Sequence, residues 1–364
     1  MKLFLKKILP RSTINILKNI HFKVQIAIIS SINKSKILCN TYYIFNNQFS
    51  NEHQAVIKGR QAYYTSLKKI GKTCALLRRN IHRIEKGLIM QPRRNIFAES
   101  FIKETIECYK DAVTSVDLDP GEKKWATDVL DEYFKIVSDT SIIKTARTEY
   151  SKTRANVSLD TNQQSVIPSV NTFFKPYKYT NLQKSEFSYG ELEKLFIQRR
   201  SVRWYRNEHV ALDLIQKAAN IASLAPSACN RQPYRFLFCN EKEKATAIAK
   251  CAGGTTGFAE NLPSIIVIVG DLSAYPFERD RHLIYIDGSL GAMQLMLALE
   301  TLGLSSCSIN WPDVEHSERK IRKLINLNDY ERIVMLLAVG YADFDGGIPF
   351  SQKKINEKIL EDIS

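Results

Sequence analysis

The sequence predicts an α+β fold, and three observations lead to this prediction. The run 264–270 is continuously apolar and rich in β-branched residues, as expected of a buried central strand. The segment 283–302 is apolar nearly all round in its middle, so we expect a buried helix there. A second apolar run, 332–341, predicts another buried strand. Helices and strands mixed in this order favour an α+β architecture.

The chain before residue 150 is predicted to be helical. Apolar residues recur at three- and four-residue steps over 52–90, which predicts a helix that Pro92 ends. Two more helices are predicted over about 98–115 and about 124–137, with a turn at Asp119-Pro120-Gly121 between them. The segment 151–185 is rich in Ser, Thr, Asn and Gln and is predicted to be a linker.

The rest of the chain alternates short elements. The patterns predict helices over 191–198, 212–224 and 241–251 and a strand over 235–239. These shifts divide the chain into a basic amphipathic arm (1–55), a helical region (56–150), the linker (151–185) and an α+β domain (186–364). A chain of 364 residues is long enough for two domains.

The composition excludes several classes of protein. An apolar content of 44% excludes a chain disordered by composition. The seven cysteines include no Cys-x-x-Cys pair and no Cys/His cluster with zinc spacing. We therefore predict no metal site and reduced thiols in a cytoplasmic protein. The net charge is +14, but no nucleic-acid-binding motif accompanies it, so no nucleic acid is expected as a partner.

The first fifty residues carry eight Lys and Arg and no Asp or Glu. Apolar residues alternate with these charges, and the apolar run 24–29 is far too short to span a membrane. One interpretation is a basic helical arm that packs on its own protein. The alternative is peripheral contact of residues 1–36 with an anionic membrane, at its inner face.

A short basic motif lies where the predicted helix 191–198 ends. It contributes three guanidinium groups and a hydroxyl: Arg199, Arg200, Ser201 and Arg203. Such a set suits a phosphate, because arginine forks bind phosphate oxygens bidentately. The turn-rich segment 225–233 follows, with the carboxamides of Asn230 and Gln232. Carboxamides donate and accept hydrogen bonds, as a flat polar ring requires. A phosphate and such a ring together describe a mononucleotide such as FMN.

These two segments resemble the flavin-binding signatures of the nitroreductase family, whose members are FMN-dependent and oxidise NAD(P)H. Three further stretches fit the family's order and spacing: 286–292, 303–311 and 340–354. The resemblance covers about residues 186–360. It implies a nitroreductase-like fold with a mixed central sheet flanked by helices, a homodimer, FMN as cofactor and NAD(P)H as electron donor. The segment 82–88 is similar to N-terminal extensions of nitroreductase-like proteins near polysaccharide-biosynthesis genes.

The resemblance also implies roles for individual residues. The implied cofactor-binding set is Arg199, Arg200, Ser201, Arg203, Pro226, Ser227, Asn230, Gln232, Ser306, Ser308, Ile309, Ser351, Lys353 and Lys354. Arg203 would stabilise the N1–C2=O edge of the flavin, and no side chain need act as a general acid or nucleophile. Pro226, Ser227 and Asn230 would reach the flavin of the partner subunit, with the two sites at the dimer interface.

Two positions depart from the family's pattern. The family often has Trp or His after the Asn-x-Gln-Pro segment, where this chain has Tyr234. The basic tail often ends in Arg, whereas this chain has Lys353 and Lys354, and a lysine meets phosphate without a bidentate fork. Which of the two lysines meets the phosphate stays open.

Two segments are candidates for substrate binding. The glycine-rich loop 252–258, with Gly254, Thr255 and Phe258, is either a mobile lid over the substrate or an ordinary helix-to-strand connection. The segment 82–88 brings His82, Glu85 and Lys86 to one helix, either as an anion or substrate site or as a solvated helix that Gly87 ends in a C-cap.

The predicted function is an FMN-dependent oxidoreductase. It would use NAD(P)H to reduce a small organic acceptor, such as a nitro compound or quinone, by ping-pong hydride transfer through flavin N5. The alternative is a non-catalytic flavin-domain dimer that scaffolds an N-terminal interaction or membrane-docking module in polysaccharide biosynthesis. A third interpretation is a flavin-linked dehydrogenase or flavin-cleaving relative. We expect the flavin domain to hold its cofactor without residues 1–185.

Overall fold

The computed structural model describes residues 10–157, 173–354 and 359–363. Internal contacts divide the chain into two compact units, Met1–His53 and Gln54–Ser364. Within the first unit, α1 spans Arg11–Ile32 and α2 spans Lys36–Ile44, with the Ser35 hydroxyl accepting a hydrogen bond from the Leu38 N–H as an N-cap. Most apolar side chains of α1 are exposed: Ile16, Leu17, Ile20, Phe22, Val24, Ile26, Ile28 and Ile29.

The helical region of the described chain contains α3 (Ser50–Ser66), α4 (Ala75–Leu88), α5 (Glu99–Thr114), α6 (Pro120–Ile136) and α7 (Ser141–Arg154). The single helix predicted over 52–90 is wrong, because the chain leaves the helix between Ser66 and Ala75. Helix α7 was not predicted, and it overlaps the start of the predicted linker. Residues 158–172 of that linker lie outside the described residues.

Gly87 does not end α4 as a C-cap. The helix continues to Leu88 with Ile89 as its C-cap, and a Cβ at position 87 would clash with the Phe97 ring. The glycine is therefore required by close packing between α4 and the segment before α5. The apolar faces of α4–α7 meet in one core, in which Tyr109 and Tyr133 are fully buried.

The sheet has four described strands: β1 (Tyr234–Cys239), β2 (Ser264–Asp271), β3 (Ser305–Asn310) and β4 (Glu331–Gly340). Their order is β1-β2-β4-β3, and every strand pair is antiparallel. The parallel part of the predicted mixed sheet is limited, among described residues, to the bridge Ser201–Ser306. Ser305–Asn310, for which no strand was predicted, is the edge strand β3. Helices and sheet in one domain confirm the α+β prediction.

The remaining helices surround this sheet: α8 (Tyr189–Gln198), α9 (Leu212–Ala222), α10 (Lys242–Ala249), α11 (Leu283–Thr301) and α12 (Glu315–Ile321). Residues such as Leu295 and Leu299 of α11 pack with the sheet in one buried cluster, while Ile286 and Leu290 are 52% and 42% exposed. Within a single chain α11 is thus buried on one side. Among the described helices, the stretch Glu278–Thr301 is long and apolar enough to cross a membrane, a property that buried core helices share.

The helical region contacts the sheet domain directly. Gly59 of α3 lies against Leu272, where an added Cβ would stand 2.7 Å from the Leu272 Cβ. The Arg60 Nε donates to the Pro276 carbonyl at 3.0 Å. Six apolar residues pack together at this contact: Ala55, Val56, Leu272, Ala274, Tyr275 and Ile284. The helical region and the sheet domain therefore share a packed interface.

Candidate functional site

The basic motif is fixed against the edge strand β3. Arg199 is the C-cap of α8, so the chain leaves the helix at the first arginine. Ser201 then forms a parallel bridge with Ser306, and the Val202 N–H donates to the Ser306 carbonyl at 3.1 Å. The arginines consequently lie beside the strand that the sequence predicted to be near the flavin.

The C-terminal tail reaches the same place. The Arg200 guanidinium donates to the backbone carbonyls of Pro349 (2.9 Å) and Phe350. Ser351 follows in the left-handed region, with φ of 51°, and Lys353 and Lys354 are exposed. The structure thus places the start of the basic tail beside the arginine motif, while the phosphate role of the two lysines stays a prediction.

No salt bridge joins the arginines of the motif to a carboxylate in the described part of the chain, although Arg199 lies near enough to the buried Glu300 to lower the pKa of that carboxyl. Arg203 donates to the Ser201 carbonyl at 3.3 Å and lies 5.7 Å from the centre of the Phe258 ring. Burial raises the pKa of the Cys307 thiol, and the nearby Arg203 opposes that rise. Within the described residues the motif therefore carries three positive charges beside one buried carboxyl group, that of Glu300.

Ser306 adds a hydroxyl without a partner. Its side chain is fully buried, and its Oγ makes no hydrogen bond with any described residue. A buried hydroxyl without a partner costs free energy, so such groups usually have an unseen partner or a function. Of its neighbours on β3, Ser308 is exposed and Ile309 is buried.

The carboxamide segment forms a strained turn. A single 3-10 turn spans Ala228–Asn230, and Cys229, Asn230 and Gln232 have φ values of 54°, 51° and 50°. The left-handed region is unfavourable for residues other than glycine, so the surroundings must hold this turn. Asp287, in the first turns of α11, helps to hold the turn by accepting a hydrogen bond from the Ala228 N–H at 2.9 Å. Burial raises the pKa of Asp287, and that hydrogen bond opposes the rise.

The Gln232 side chain is occupied within the protein. Its Nε2 donates to the Ser223 carbonyl at 2.6 Å, and its Oε1 accepts from Arg78 at 3.0 Å. Its backbone N–H donates to the Ser227 Oγ at 3.0 Å. Pro226 is exposed, and the Asn230 carboxamide makes no hydrogen bond with a described residue. Asn230 is thus the free carboxamide of the pair, and ring binding by Gln232 stays a prediction.

Sequence reasoning did not single out Arg78 or Asp287 for this site. The signal for Arg78 was its position in the basic run of α4, and the signal for Asp287 was its motif before the apolar helix. Tyr234 is also explained: its ring packs where an added Cβ at Gly291 would stand 2.8 Å away, and its hydroxyl donates to the Ala222 carbonyl at 3.3 Å. Tyr234 stands where the family often has Trp or His, and in this chain its ring packs between helix α11 and the sheet.

The two halves of the predicted site lie at opposite corners of the sheet. The carboxamide turn leads into β1, one edge strand, at the end where Tyr234 pairs with Gly270. The arginine motif is bridged to β3, the other edge strand, at the end where Ser306 pairs with Val339. Strand spacing and rise separate these corners by roughly 15 Å across and roughly 20 Å along the sheet. One chain does not bring both halves to one small ligand.

The candidate substrate residues have mixed surroundings. Thr255 is buried with its hydroxyl donating to the Ala249 carbonyl at 3.1 Å, and Phe258 belongs to the core beside Arg203. Gly254 has a φ of 78° and open space around it. On α4, His82 Nδ1 lies 3.4 Å from Glu85 Oε2. The other carboxylate oxygen of Glu85, Oε1, accepts a hydrogen bond from the Trp125 Nε1 at 3.0 Å. Lys86 is exposed.

These donors fit a phosphorylated flavin nucleotide. Arginines without a salt bridge suit its phosphate, the Ser306 hydroxyl without a described partner suits its hydroxyl-bearing chain, and the free Asn230 carboxamide suits a ring edge. Fold and site together describe an α+β protein with a cluster of arginines beside the edge strand β3.

Comparison with known proteins gives the family. Residues 197–257 and 250–341 match the model of the Nitroreductase family. The match assigns this part of the C-terminal half to the Nitroreductase family, and the residues before 197 lie outside it as an N-terminal extension.

Relatives and solved structures match the same half. The chain is 28% identical over 170 residues to the iodotyrosine deiodinase of Thermotoga neapolitana. The alignment covers 40% of this chain and 86% of that protein. The chain is 26% identical over 181 residues to the NADH dehydrogenase of Thermus thermophilus, covering 41% and 86%. An FMN-dependent nitroreductase structure from Clostridium difficile aligns at 24% identity and a TM-score of 0.39, covering 46% and 96%.

Proposed function

We propose that this protein is an FMN-dependent oxidoreductase that takes electrons from NAD(P)H and reduces a small organic acceptor. The observation that supports it best is a motif of three arginines that form no described salt bridge, held beside the buried Ser306 hydroxyl, which has no described hydrogen-bond partner. Bound FMN would supply the hydride chemistry. The chain's own residues supply charge, hydrogen bonds and orientation.

The residues divide this work as follows. Arg199 and Arg200 would hold the phosphate, with the tail beyond Phe350 closing over it. Arg203, fixed by the Ser201 carbonyl and the Phe258 ring, would place a positive charge near the N1–C2=O edge and favour reduction. Backbone groups of β3 between Ser306 and Ile309 would orient the N5 edge.

The sheet geometry supports a homodimer with shared sites. The carboxamide turn and the arginine motif lie at opposite corners of one sheet, so a complete site would combine one protomer's motif with its partner's turn. The exposed side of α11, with Ile286 and Leu290, offers an apolar surface for such a pairing. Its burial in the dimer would complete the buried helix predicted from the sequence.

An anaerobic spectrum tests the assignment. We expect the purified protein to be yellow and to bleach on addition of NADH or NADPH. Bleached enzyme is then mixed with a quinone, a nitroaromatic compound or 3-iodotyrosine, the last because some relatives are deiodinases. Recovery of the oxidised spectrum identifies the acceptor class. A protein that stays colourless with added FMN would favour the scaffold alternative, and a yellow protein that no nicotinamide reduces would refute the proposed donor.

A second property concerns the arm. We propose that α1 binds anionic membrane surfaces, since its apolar side chains are exposed and its charges are all positive. The protein should float with vesicles containing phosphatidylglycerol and not with neutral ones. Changing Lys18 and Lys23 together to Glu should abolish flotation, whereas changing the exposed Lys103 and Lys244 should not. Flotation that ignores vesicle charge would contradict the proposal.

A further inference from the structure

Arg78 of α4 joins the N-terminal helical region to the carboxamide turn. Its Nε donates to the Asn230 carbonyl at 2.8 Å, and one terminal nitrogen donates to the Gln232 Oε1 at 3.0 Å. A single guanidinium thus holds two turn residues that are both in the left-handed region. The guanidinium binds the backbone carbonyl of Asn230 and the side chain of Gln232, and these two contacts fix the orientation of the turn.

The guanidinium is itself held from the opposite side. Its other terminal nitrogen lies 3.1 Å from Glu122, whose side chain is 2% exposed. The Glu122 carboxylate also accepts from the Thr73 hydroxyl at 2.7 Å and the Cys74 N–H at 2.9 Å, so its charge is well satisfied. A buried ion pair with its remaining hydrogen bonds filled is rigid, and breaking it leaves an uncompensated charge.

Trp125 closes the third side. The Arg78 guanidinium carbon lies 5.4 Å from the centre of the indole, within cation–π range. The indole N–H donates to Glu85, which also lies 3.4 Å from His82. The segment 82–88 therefore has a structural connection to the turn: its Glu85 fixes the ring that packs on Arg78.

We propose that Arg78 is a positioning residue for the flavin site, holding the strained turn so that the free Asn230 carboxamide is presented to the cofactor. The inference rests on the proposed FMN site and assigns part of it to the N-terminal extension. Left-handed residues other than glycine cost about 1 kcal/mol or more each, so the turn needs such a brace. Under this proposal the extension completes the site, contrary to the expectation that the domain holds FMN without residues 1–185.

The test replaces the fork while keeping its charge. In the full-length protein, Arg78→Lys removes the paired donors, and Arg93→Lys makes the same change at an exposed position of the next loop. FMN affinity is measured by quenching of flavin fluorescence, and backbone exposure by hydrogen exchange in the apoprotein. We expect the dissociation constant of Arg78→Lys to rise about tenfold, equivalent to about 1.4 kcal/mol, with Arg93→Lys unchanged.

Hydrogen exchange separates positioning from general destabilisation. Exchange should accelerate in residues 226–233 of Arg78→Lys and stay unchanged in α5 and α6. Unchanged FMN affinity together with unchanged exchange in the turn would overturn the inference, as would acceleration spread evenly over the helical region. A wild-type protein that binds no FMN would refute the proposed function alone, since the exchange comparison in apoprotein still decides whether Arg78 holds the turn.

Discussion

Ser201 forms a parallel bridge with Ser306, and through this bridge the arginine motif is attached to the edge strand of the sheet. The neighbouring Val202 N–H strengthens the attachment with a 3.1 Å hydrogen bond to the Ser306 carbonyl. The bridge uses only backbone groups, which leaves the Ser306 hydroxyl buried and without a described partner. The backbone of Ser306 therefore holds the arginine motif, while its side-chain hydroxyl has no described hydrogen-bond partner.

Ser306→Ala tests whether that hydroxyl serves the cofactor. Removing a buried hydroxyl without a partner should leave the apoprotein as stable or slightly more stable, by up to about 1 kcal/mol. FMN affinity should fall, because the lost group would hydrogen-bond to the ligand. Thermal unfolding of the apoprotein and fluorescence titration measure the two effects. A destabilised apoprotein with normal FMN affinity would show that the hydroxyl has a structural partner instead.

Arg199→Ala and Arg200→Ala test the phosphate site. Each loses a charged hydrogen bond, so FMN binding should weaken by about 1.5–3 kcal/mol. The exposed Arg319, whose pair with Glu315 lies along one helix, provides the matched control in Arg319→Ala. Titration with FMN and with riboflavin measures the effect: the arginine variants should lose affinity for FMN far more than for riboflavin. Equal losses for both ligands would place the phosphate elsewhere.

The shared site predicts complementation between two inactive variants. A chain with both Arg199→Ala and Arg200→Ala keeps its carboxamide turn, and a chain with Asn230→Ala keeps its arginines. Unfolding and refolding the two chains together should give mixed dimers with one intact site, so flavin binding should return to part of the sample. Light scattering should give twice the 41.7 kDa chain mass. A flavin-loaded monomer, or a failure of mixed dimers to bind, would contradict the shared site.

Glu300 predicts a pH-dependent stability. The residue is buried near the end of α11, and burial raises its pKa, with Gln198 and Arg199 opposing the rise. A raised folded-state pKa means that stability falls as pH rises from the ordinary glutamate value to the folded value. Glu300→Gln should therefore stabilise the protein above this range and lose its advantage at lower pH. Urea unfolding between pH 4 and pH 8 measures this, with the exposed Glu243→Gln as a control that should show no such trend.

Two glycines in helices should respond oppositely to alanine. Gly87→Ala puts a methyl group against the Phe97 ring and should destabilise the protein by about 1–3 kcal/mol. Gly190→Ala, in the first turn of α8, meets no atom within 4 Å and should stabilise it by up to about 1 kcal/mol. Urea unfolding gives both values. A stabilising Gly87→Ala would indicate that Phe97 yields easily.

The sequence predicted the central elements well because their patterns are local. The runs 264–270 and 332–341 became β2 and β4, and the apolar segment 283–302 became α11, since long apolar runs leave a clear hydrophobic signal. The five motifs in order identified the nitroreductase family. The edge strand β3 was missed because its polar, serine-rich sequence alternates between buried and exposed positions and lacks that signal.

Residue types and spacing thus determined the fold class, the family and the residues available to hold a phosphate and a ring. Only the tertiary structure decided which of these groups are free. Gln232 is occupied by Arg78 and Ser223, whereas Asn230 is not, and this follows from long-range contacts that no local pattern encodes. The placement of the two half-sites at opposite corners, and the brace from Arg78 more than 150 residues earlier, likewise arise from strand order and packing.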